Sequence, residues 1–256
     1  MAKNIKNGTY TTGQIATLVG LHPNTVRMYE EWGLIQRPER KKNGYRVFYD
    51  IHIKQFELAK KALQIEVLQS GLRKQIIKAV KLSAQYQFDE AIRVAVEYIE
   101  IATRETENAK TAASICQVLY SAPSEDGKTY KRAQAAKELE ITIDTLRNWE
   151  MNGLIKVKRT ENGYRIYNEN DMNRLRIIRS LKCANYSLSA ILRMLNNLEA
   201  KHYSDKGIFD LLNTPNDDED IVSACDKLVY SLEQAIVNAH DVIRIVNEIK
   251  VINPPL

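Results

Sequence analysis

What this sequence has little of narrows its class before any motif is read. Of 256 residues only three are cysteine, Cys116, Cys183 and Cys225, and they lie far apart. An odd, sparse set is no disulfide framework, and no CxxC or Cys/His cluster has the spacing of a metal site. His52, His202 and His240 stand isolated and form no ligand set. Six prolines, ten glycines and 7% aromatic residues favour a mainly helical chain with a few defined turns. No stretch approaches the roughly 18 consecutive apolar residues of a membrane helix, so no membrane span and no membrane partner is expected. The opening MAKNIKNGTYTTG lacks the apolar centre of a secretory signal, which makes the cytoplasm the expected location. No set of nucleophile, base and orienting group is visible, nor a Gly-rich phosphate loop. The chain therefore reads as a non-enzyme with no catalytic residue, no metal and no cofactor.

What is present is a globular balance of 44% hydrophobic and 27% charged residues, over a length that suits two ordinary domains. The formal net charge of +5 fits a phosphate-binding surface without requiring one.

The tetrapeptide Asn-Gly-Tyr-Arg occurs twice, at residues 43–46 and 162–165. Aligned on it, Tyr10 to Phe56 match Tyr130 to Leu175, with one residue fewer in the second loop. The identities include Tyr10/Tyr130, Gln14/Gln134, Thr25/Thr145, Arg27/Arg147, Glu30/Glu150 and Gly33/Gly153. That spread is a duplication. Each copy opens with a short helix. Thr11 and Gln14 have capping-box spacing, whereas Lys131 replaces the capping threonine in the second copy. A second helix begins at His22-Pro23-Asn24-Thr25 or Thr142-Ile143-Asp144-Thr145, with Pro23 suited to a first turn and Thr142 to an N-cap. Gly33 and Gly153 close these helices, and two β-prone runs joined through Asn-Gly read as a hairpin. Helix, turn, helix and hairpin make a winged helix-turn-helix, a fold whose second helix enters the DNA major groove.

These residues resemble the MerR family of bacterial transcription regulators, whose recognition helix, Gly-Leu-Ile step and Asn-Gly-Tyr-Arg wing all have counterparts here. The recognition stretches stand as Thr25-Val26-Arg27-Met28-Tyr29-Glu30 and Thr145-Leu146-Arg147-Asn148-Trp149-Glu150. Met28 and Asn148 depart from the family's first tyrosine, which leaves the DNA preference open. The resemblance implies double-stranded DNA as partner, RNA polymerase at a promoter as a further one, and an operator distorted on binding. It also implies two more helices after the wing and a long helix that in the family pairs antiparallel with the same helix of a second subunit. In the second copy Tyr186-Ser187-Leu188-Ser189-Ala190-Ile191 is close to the start of the family's fourth helix; the first copy is looser, around Leu72, Ile76 and Val80.

Two seams of coiled-coil rhythm follow the repeats. The first runs through Phe88, Ile92, Ala95, Ile99, Ala102, Ala109, Ala113 and Cys116, with Thr106 filling one slot. The second runs from Ile221 through Cys225, Leu228, Leu232, Ala235, Ala239, Val242 and Val246 to Ile249, preceded by the acidic run Asp217 to Asp220. The expected architecture is mainly α. A first domain spans 9–86, a long helix 87–119, a linker 120–128, a second domain 129–200, a connector 201–217 and a second long helix 218–250. Since one chain supplies both seams, a pseudo-dimeric monomer is expected in preference to a homodimer. Cys116 and Cys225 fall on the seams, where packing as small hydrophobes is favoured over a redox or metal role. After Ile249 only seven residues remain, too few for an appended ligand domain.

Arg27 and Arg147, in the first turns of the recognition helices, are suited to phosphate or guanine edges, and because both match the family's DNA-contacting position this is favoured over surface ion pairs with Glu30, Glu31 or Glu150. His22, Asn24, Thr25 and Met28, against Thr142, Asp144, Thr145 and Asn148, barely agree, so the half-sites they read should differ. Tyr45-Arg46 and Tyr164-Arg165 match the family's backbone-gripping wing, with core packing the alternative for the tyrosines. Arg37, Arg40, Lys41 and Lys42 make the first wing basic, and Lys156, Lys158 and Arg159 the second. Thr12 and Arg132 join the DNA set at the helix starts, and Tyr29 and Trp149 divide between DNA and packing, with packing preferred. Two other functions stay open: an architectural or accessory DNA-binding factor of a plasmid, phage or transposable element, and a small-molecule-sensing module.

Overall fold

A computed structural model describes residues 8–64, 71–121, 128–199, 207–214 and 227–252. The chain divides into two compact units, one of residues 1–103 with 232–256 and the other of residues 104–231.

The first unit opens with α1 (Thr12–Val19) and α2 (Pro23–Glu31). The expected capping box is present: Gln14 N–H donates to the Thr11 hydroxyl, and Thr11 N–H donates to Gln14 Oε1 at 2.9 Å. His22 caps α2 by accepting from Asn24 N–H at 3.2 Å, and Pro23 occupies the first helical position. Gly33 takes φ +68°, a left-handed conformation that turns the chain out of α2. Strands β1 (Glu39–Arg40) and β2 (Arg46–Val47) then pair antiparallel. Their loop is a three-residue hairpin turn: Gly44 N–H donates to Lys41 C=O at 2.8 Å, and Gly44 at φ +82° supplies the left-handed residue that returns the strand. Helices α3 (Asp50–Ala62) and α4 (Leu72–Ala84) complete the domain, with α1 and α4 packed on α3. The core centres on Ile15, Val26, Leu34, Phe48, Phe56 and Leu58. Each such side chain gains about 1.5–3 kcal/mol by leaving water.

The second unit repeats the plan: α6 (Arg132–Glu138), α7 (Ile143–Met151), β4 (Lys158–Arg159), β5 (Arg165–Asn168) and α8 (Glu169–Cys183). Thr142 caps α7 as expected, accepting from Thr145 N–H at 3.0 Å. Lys131 has no side-chain acceptor to offer, and only Gln134 reaches back, accepting from Lys131 N–H at 2.8 Å. Here β3 (Thr129–Lys131) adds a third strand in the order β3-β5-β4, where the described residues of the first unit have a single bridge between Tyr10 and Phe48. Helices α9 (Leu188–Glu199) and α10 (Ile208–Asn213) follow. The stretch 201–217, expected as a connector, thus contains a helix. Three buried apolar residues, Ile208, Leu211 and Leu212, explain why a helix forms there. The buried Arg193 donates to the carbonyls of Leu211 and Leu212 at 3.1 and 3.2 Å, serving its C-terminal end.

The long helices are α5 (Phe88–Ser121) and α11 (Leu228–Ile252), and each contributes residues to both units. Ile221, Cys225 and the acidic run 217–220 lie outside the described residues. Within the first unit Lys250 pairs with Asp89 at 2.5 Å, which sets the end of α11 beside the start of α5. Lys54 and Lys61 of α3 also bind α11, at Glu248 and Asp241. The seam of α5 needs one correction. Ile92 and Ile99 are only half-buried, while Ala91, Val94, Ala95, Tyr98 and Ala102 are buried. The buried stripe is wider than a two-position seam, and the two isoleucines lie along its edge. Thr106 is buried in its slot, as expected, and α11 buries Leu228, Leu232, Ala235, Ala239, Val242, Val246 and Ile249.

Candidate nucleic-acid interface

In each unit the recognition helix turns one face inward and leaves the other in solvent. Val26 and Tyr29 are buried on α2, Leu146 and Trp149 on α7. Tyr29 and Trp149 are 8% and 4% exposed, so they support the helix from within and leave the set of candidate contacts. His22, Asn24, Arg27 and Met28 are exposed on α2 and its cap, as are Thr142, Asp144, Arg147 and Asn148 on α7; Thr25 and Thr145 are half-buried. The suspected ion pairs of Arg27 and Arg147 do not form. Arg27 donates instead to Asn24 Oδ1 at 2.7 Å, and Arg147 has no partner among the described residues. Both guanidinium groups therefore remain accessible, and Asn24 orients only the first.

The wings project. Tyr45 and Tyr164 are 70% and 74% exposed, which removes core packing as their role. Arg40, Lys41 and Lys42 line the first wing and Lys158 and Arg159 the second, all exposed. Arg46 and Arg165 are held differently. Each directs Nε at the carboxylate of the penultimate residue of its recognition helix: Arg46 at Glu30, and Arg165 at Glu150 at 2.6 Å. The Glu30 and Glu150 side chains are 6% and 7% exposed. A carboxylate that far from water needs cationic partners, and each has two. Arg40 adds to Glu30 at 3.5 Å; Arg132, at the start of α6, adds to Glu150 at 2.9 Å. In the second unit the Tyr167 hydroxyl also donates to Glu150. Thr12, the counterpart of Arg132, is half-buried and carries no charge to a carboxylate. A groove of about 630 Å³ opens between the start of α6 and the second wing, bordered by Lys131, Arg132, Thr160, Asn162, Tyr164 and Arg165.

Behind the wings the duplicated tyrosines have a shared task. Tyr10 donates to Asp50 at 2.8 Å and Tyr130 to Glu169 at 2.9 Å, in each case the first residue of the helix after the hairpin. In the sequence the tyrosine identity carries no assignment, and Glu30 and Glu150 stand only as ion-pair partners of Arg27 and Arg147, not of the wing arginines. The signal was there: an acidic residue recurs at both copies of each partner position. Elsewhere, no group of three or more His, Cys, Asp or Glu among the described residues is placed to hold a metal ion.

The geometry defines two winged helix-turn-helix domains in one chain. Residues 11–48 match the family model described as MerR family regulatory protein, and residues 130–198 match MerR HTH family regulatory protein. Each of the two domains is thus of the MerR type. It is 34% identical over 84 residues to the HTH-type transcriptional regulator ZntR of Escherichia coli K12, covering 31% of this chain and 60% of that protein. It is 37% identical over 51 residues to the HTH-type transcriptional regulator CueR of Salmonella typhimurium, covering 20% of this chain and 37% of the relative. The matched stretches thus span less than two thirds of either relative. No solved structure matches the chain.

Proposed function

We propose that the protein is a double-stranded-DNA-binding transcription regulator in which α2 and α7 read the two unlike halves of one asymmetric operator. The observation that carries this reading is the pairing of sameness and difference on the two exposed faces. Arg27 and Arg147 recur at one position in solvent, while His22, Asn24 and Met28 are replaced by Thr142, Asp144 and Asn148. An arginine at that place serves phosphate or guanine, and its neighbours decide which bases are accepted. Asn24 and Asp144 differ most in consequence, since an amide can both donate and accept whereas a carboxylate only accepts.

The exposed wings supply the sequence-independent grip. Tyr45, Lys41 and Lys42 on one side and Tyr164 and Arg159 on the other are donors for phosphate, so binding should weaken steeply with salt. Distortion of the operator and action beside RNA polymerase at a promoter belong to the same proposal, brought by the likeness to regulators of this family. One chain performs the task of a dimer, because it supplies both recognition helices and both long helices.

Footprinting on a duplex selected from a random pool tests the reading. Arg27→Ala and Arg147→Ala should each abolish protection over a different half of one site. Uniform loss from either variant over a palindrome would overturn the asymmetric assignment.

A further inference from the structure

We propose that Glu30 and Glu150 are positioning residues for DNA binding: each holds its wing arginine by Nε, so that the terminal amines of the guanidinium are presented to a phosphate. This rests on the reading of the two units as DNA-binding domains and adds a role for carboxylates that would otherwise oppose DNA. A carboxylate in the last turn of a helix sits at the unfavourable end of the helix dipole, and near-burial raises its cost further. Both carboxylates nevertheless take the arginine of their own wing. In both pairs the guanidinium atom nearest the carboxylate is Nε, through a hydrogen bond from Arg46 to Glu30 and an ion contact of 2.6 Å between Arg165 and Glu150, although the neighbours differ: Arg40 in the first unit, Arg132 and Tyr167 in the second.

The choice of Nε has a chemical consequence. Guanidinium carries five N–H donors in a planar fork, and engaging Nε leaves the four on the terminal amines. Neither Arg46 nor Arg165 has another partner among the described residues. A fork already fixed in orientation matches a phosphate with less side-chain entropy to lose. Arg165 borders the groove beside the second wing, where a strand of backbone would run. Because the carboxylate belongs to the recognition helix and the arginine to the wing, the contact also makes the two elements approach DNA in a fixed register.

Electrostatics gives the test its sign. If Glu150 did nothing but carry charge, its removal would strengthen binding to a polyanion. Positioning requires the opposite. Binding of full-length wild type, Glu150→Ala, Glu150→Gln, Arg165→Ala and the Glu150→Ala/Arg165→Ala double variant to the selected duplex is measured by fluorescence anisotropy across a salt series. Glu150→Ala should weaken binding about tenfold and flatten the slope of log K against log salt by about 1, as loss of one phosphate contact does. The double variant should bind no more weakly than Arg165→Ala. Glu150→Gln, whose carbonyl still accepts from Nε, should keep most of the slope. Circular dichroism accompanies each variant. If Glu150→Ala does not fold, Glu150→Asp replaces it, since the shortened side chain keeps the charge but withdraws from Nε and should show the same loss. Equal or tighter binding by Glu150→Ala, or an unchanged salt slope with only lowered thermal stability, would overturn the positioning role. Failure of the wild type itself to bind any duplex would instead defeat the DNA-binding reading.

Discussion

Tyr167 of β5 donates its hydroxyl to Glu150 of α7, and the matching position in the first unit is Phe48, which has no hydroxyl to give. The second unit thus holds its carboxylate with two arginines and a phenol, the first with two arginines. A hydrogen bond to a charged acceptor contributes about 1.5–3 kcal/mol when buried. Tyr167→Phe puts into the second unit the ring that already packs in the first, so the cost should be confined to the lost bond. Urea unfolding of the variant should show a loss of about 1–2 kcal/mol. The tyrosine's own ionisation, pushed up to about 12 by burial and then by Glu150, adds a pH signature. Between pH 10 and 12 the unfolded tyrosine ionises and the folded one does not, so wild-type stability declines there through this residue and the variant lacks that decline. A variant as stable as wild type at neutral pH would show that the bond contributes nothing.

His52 makes the first unit sensitive to acid. Its ring is buried against Phe48 at 5.4 Å between centroids, Nδ1 accepts from Tyr49 N–H at 2.9 Å, and Nε2 is buried with no hydrogen-bond partner among the described residues. Burial lowers its pKa from 6.5 to about 4, against smaller opposing contributions from Tyr49, Gln36, Glu39 and Glu30. As pH falls below 6.5 the unfolded chain takes a proton that the folded one refuses, and stability drops by about 1.4 kcal/mol per pH unit until pH nears 4. His52→Asn can still accept from Tyr49 N–H but does not titrate. The stability difference between wild type and variant should therefore shift by about 2 kcal/mol in the variant's favour between pH 7.5 and pH 5. A constant difference across that range would refute the burial argument.

The helix-turn-helix and wing were legible because their signals are local. A capping residue, a proline at a first turn and a glycine that must be left-handed act within four residues of themselves. The interface was legible in part. Exposure of Arg27, Arg147, Tyr45 and Tyr164 follows from helix and hairpin periodicity once the elements are placed. The pairing of Arg46 with Glu30 joins residues 16 apart across a turn and a hairpin, and nothing in either stretch alone announces it. Tyr29 and Trp149 show the limit from the other side. An aromatic residue on a recognition helix serves base contact and core equally well, and only the rotation of the helix on its support decides. The helix at Ile208–Asn213 escaped notice because its six residues are too few to show a period.

The cysteines should separate by reactivity. Cys116 is fully buried on α5, with its thiol 3.9 Å from the Ile177 carbonyl, and desolvation pushes its pKa up to about 12. Cys183, at the end of α8, is exposed. Only thiolate attacks an alkylating reagent, so access and ionisation both protect the first. Brief iodoacetamide treatment at pH 8, followed by peptide mass spectrometry, should label Cys183 and leave Cys116 unmodified until denaturant is added. Labelling of both at similar rates in the native chain would mean that α5 opens readily at this position, and the packing assigned to its seam would be wrong.

One chain should make the functional particle. In the first unit the end of α11 meets the start of α5 through Lys250 and Asp89, and both residues come from one polypeptide. The buried stripes of the two helices, Ala91 to Cys116 and Leu228 to Ile249, are likewise carried by a single chain and are already covered. Among the described residues a second copy would find no long apolar seam left to pair with, and a stable dimer needs apolar area of that kind. Light scattering after size exclusion should therefore give a mass near the 29.4 kDa of one chain, unchanged on tenfold dilution. A stable species of twice that mass would mean the seams are shared between chains, with four winged domains in the particle, and would remove the basis for one chain reading one asymmetric site. Adding the selected duplex discriminates further: one chain per duplex is expected, and two chains bound cooperatively to one duplex would sink the single-chain assignment even if the free protein is a monomer.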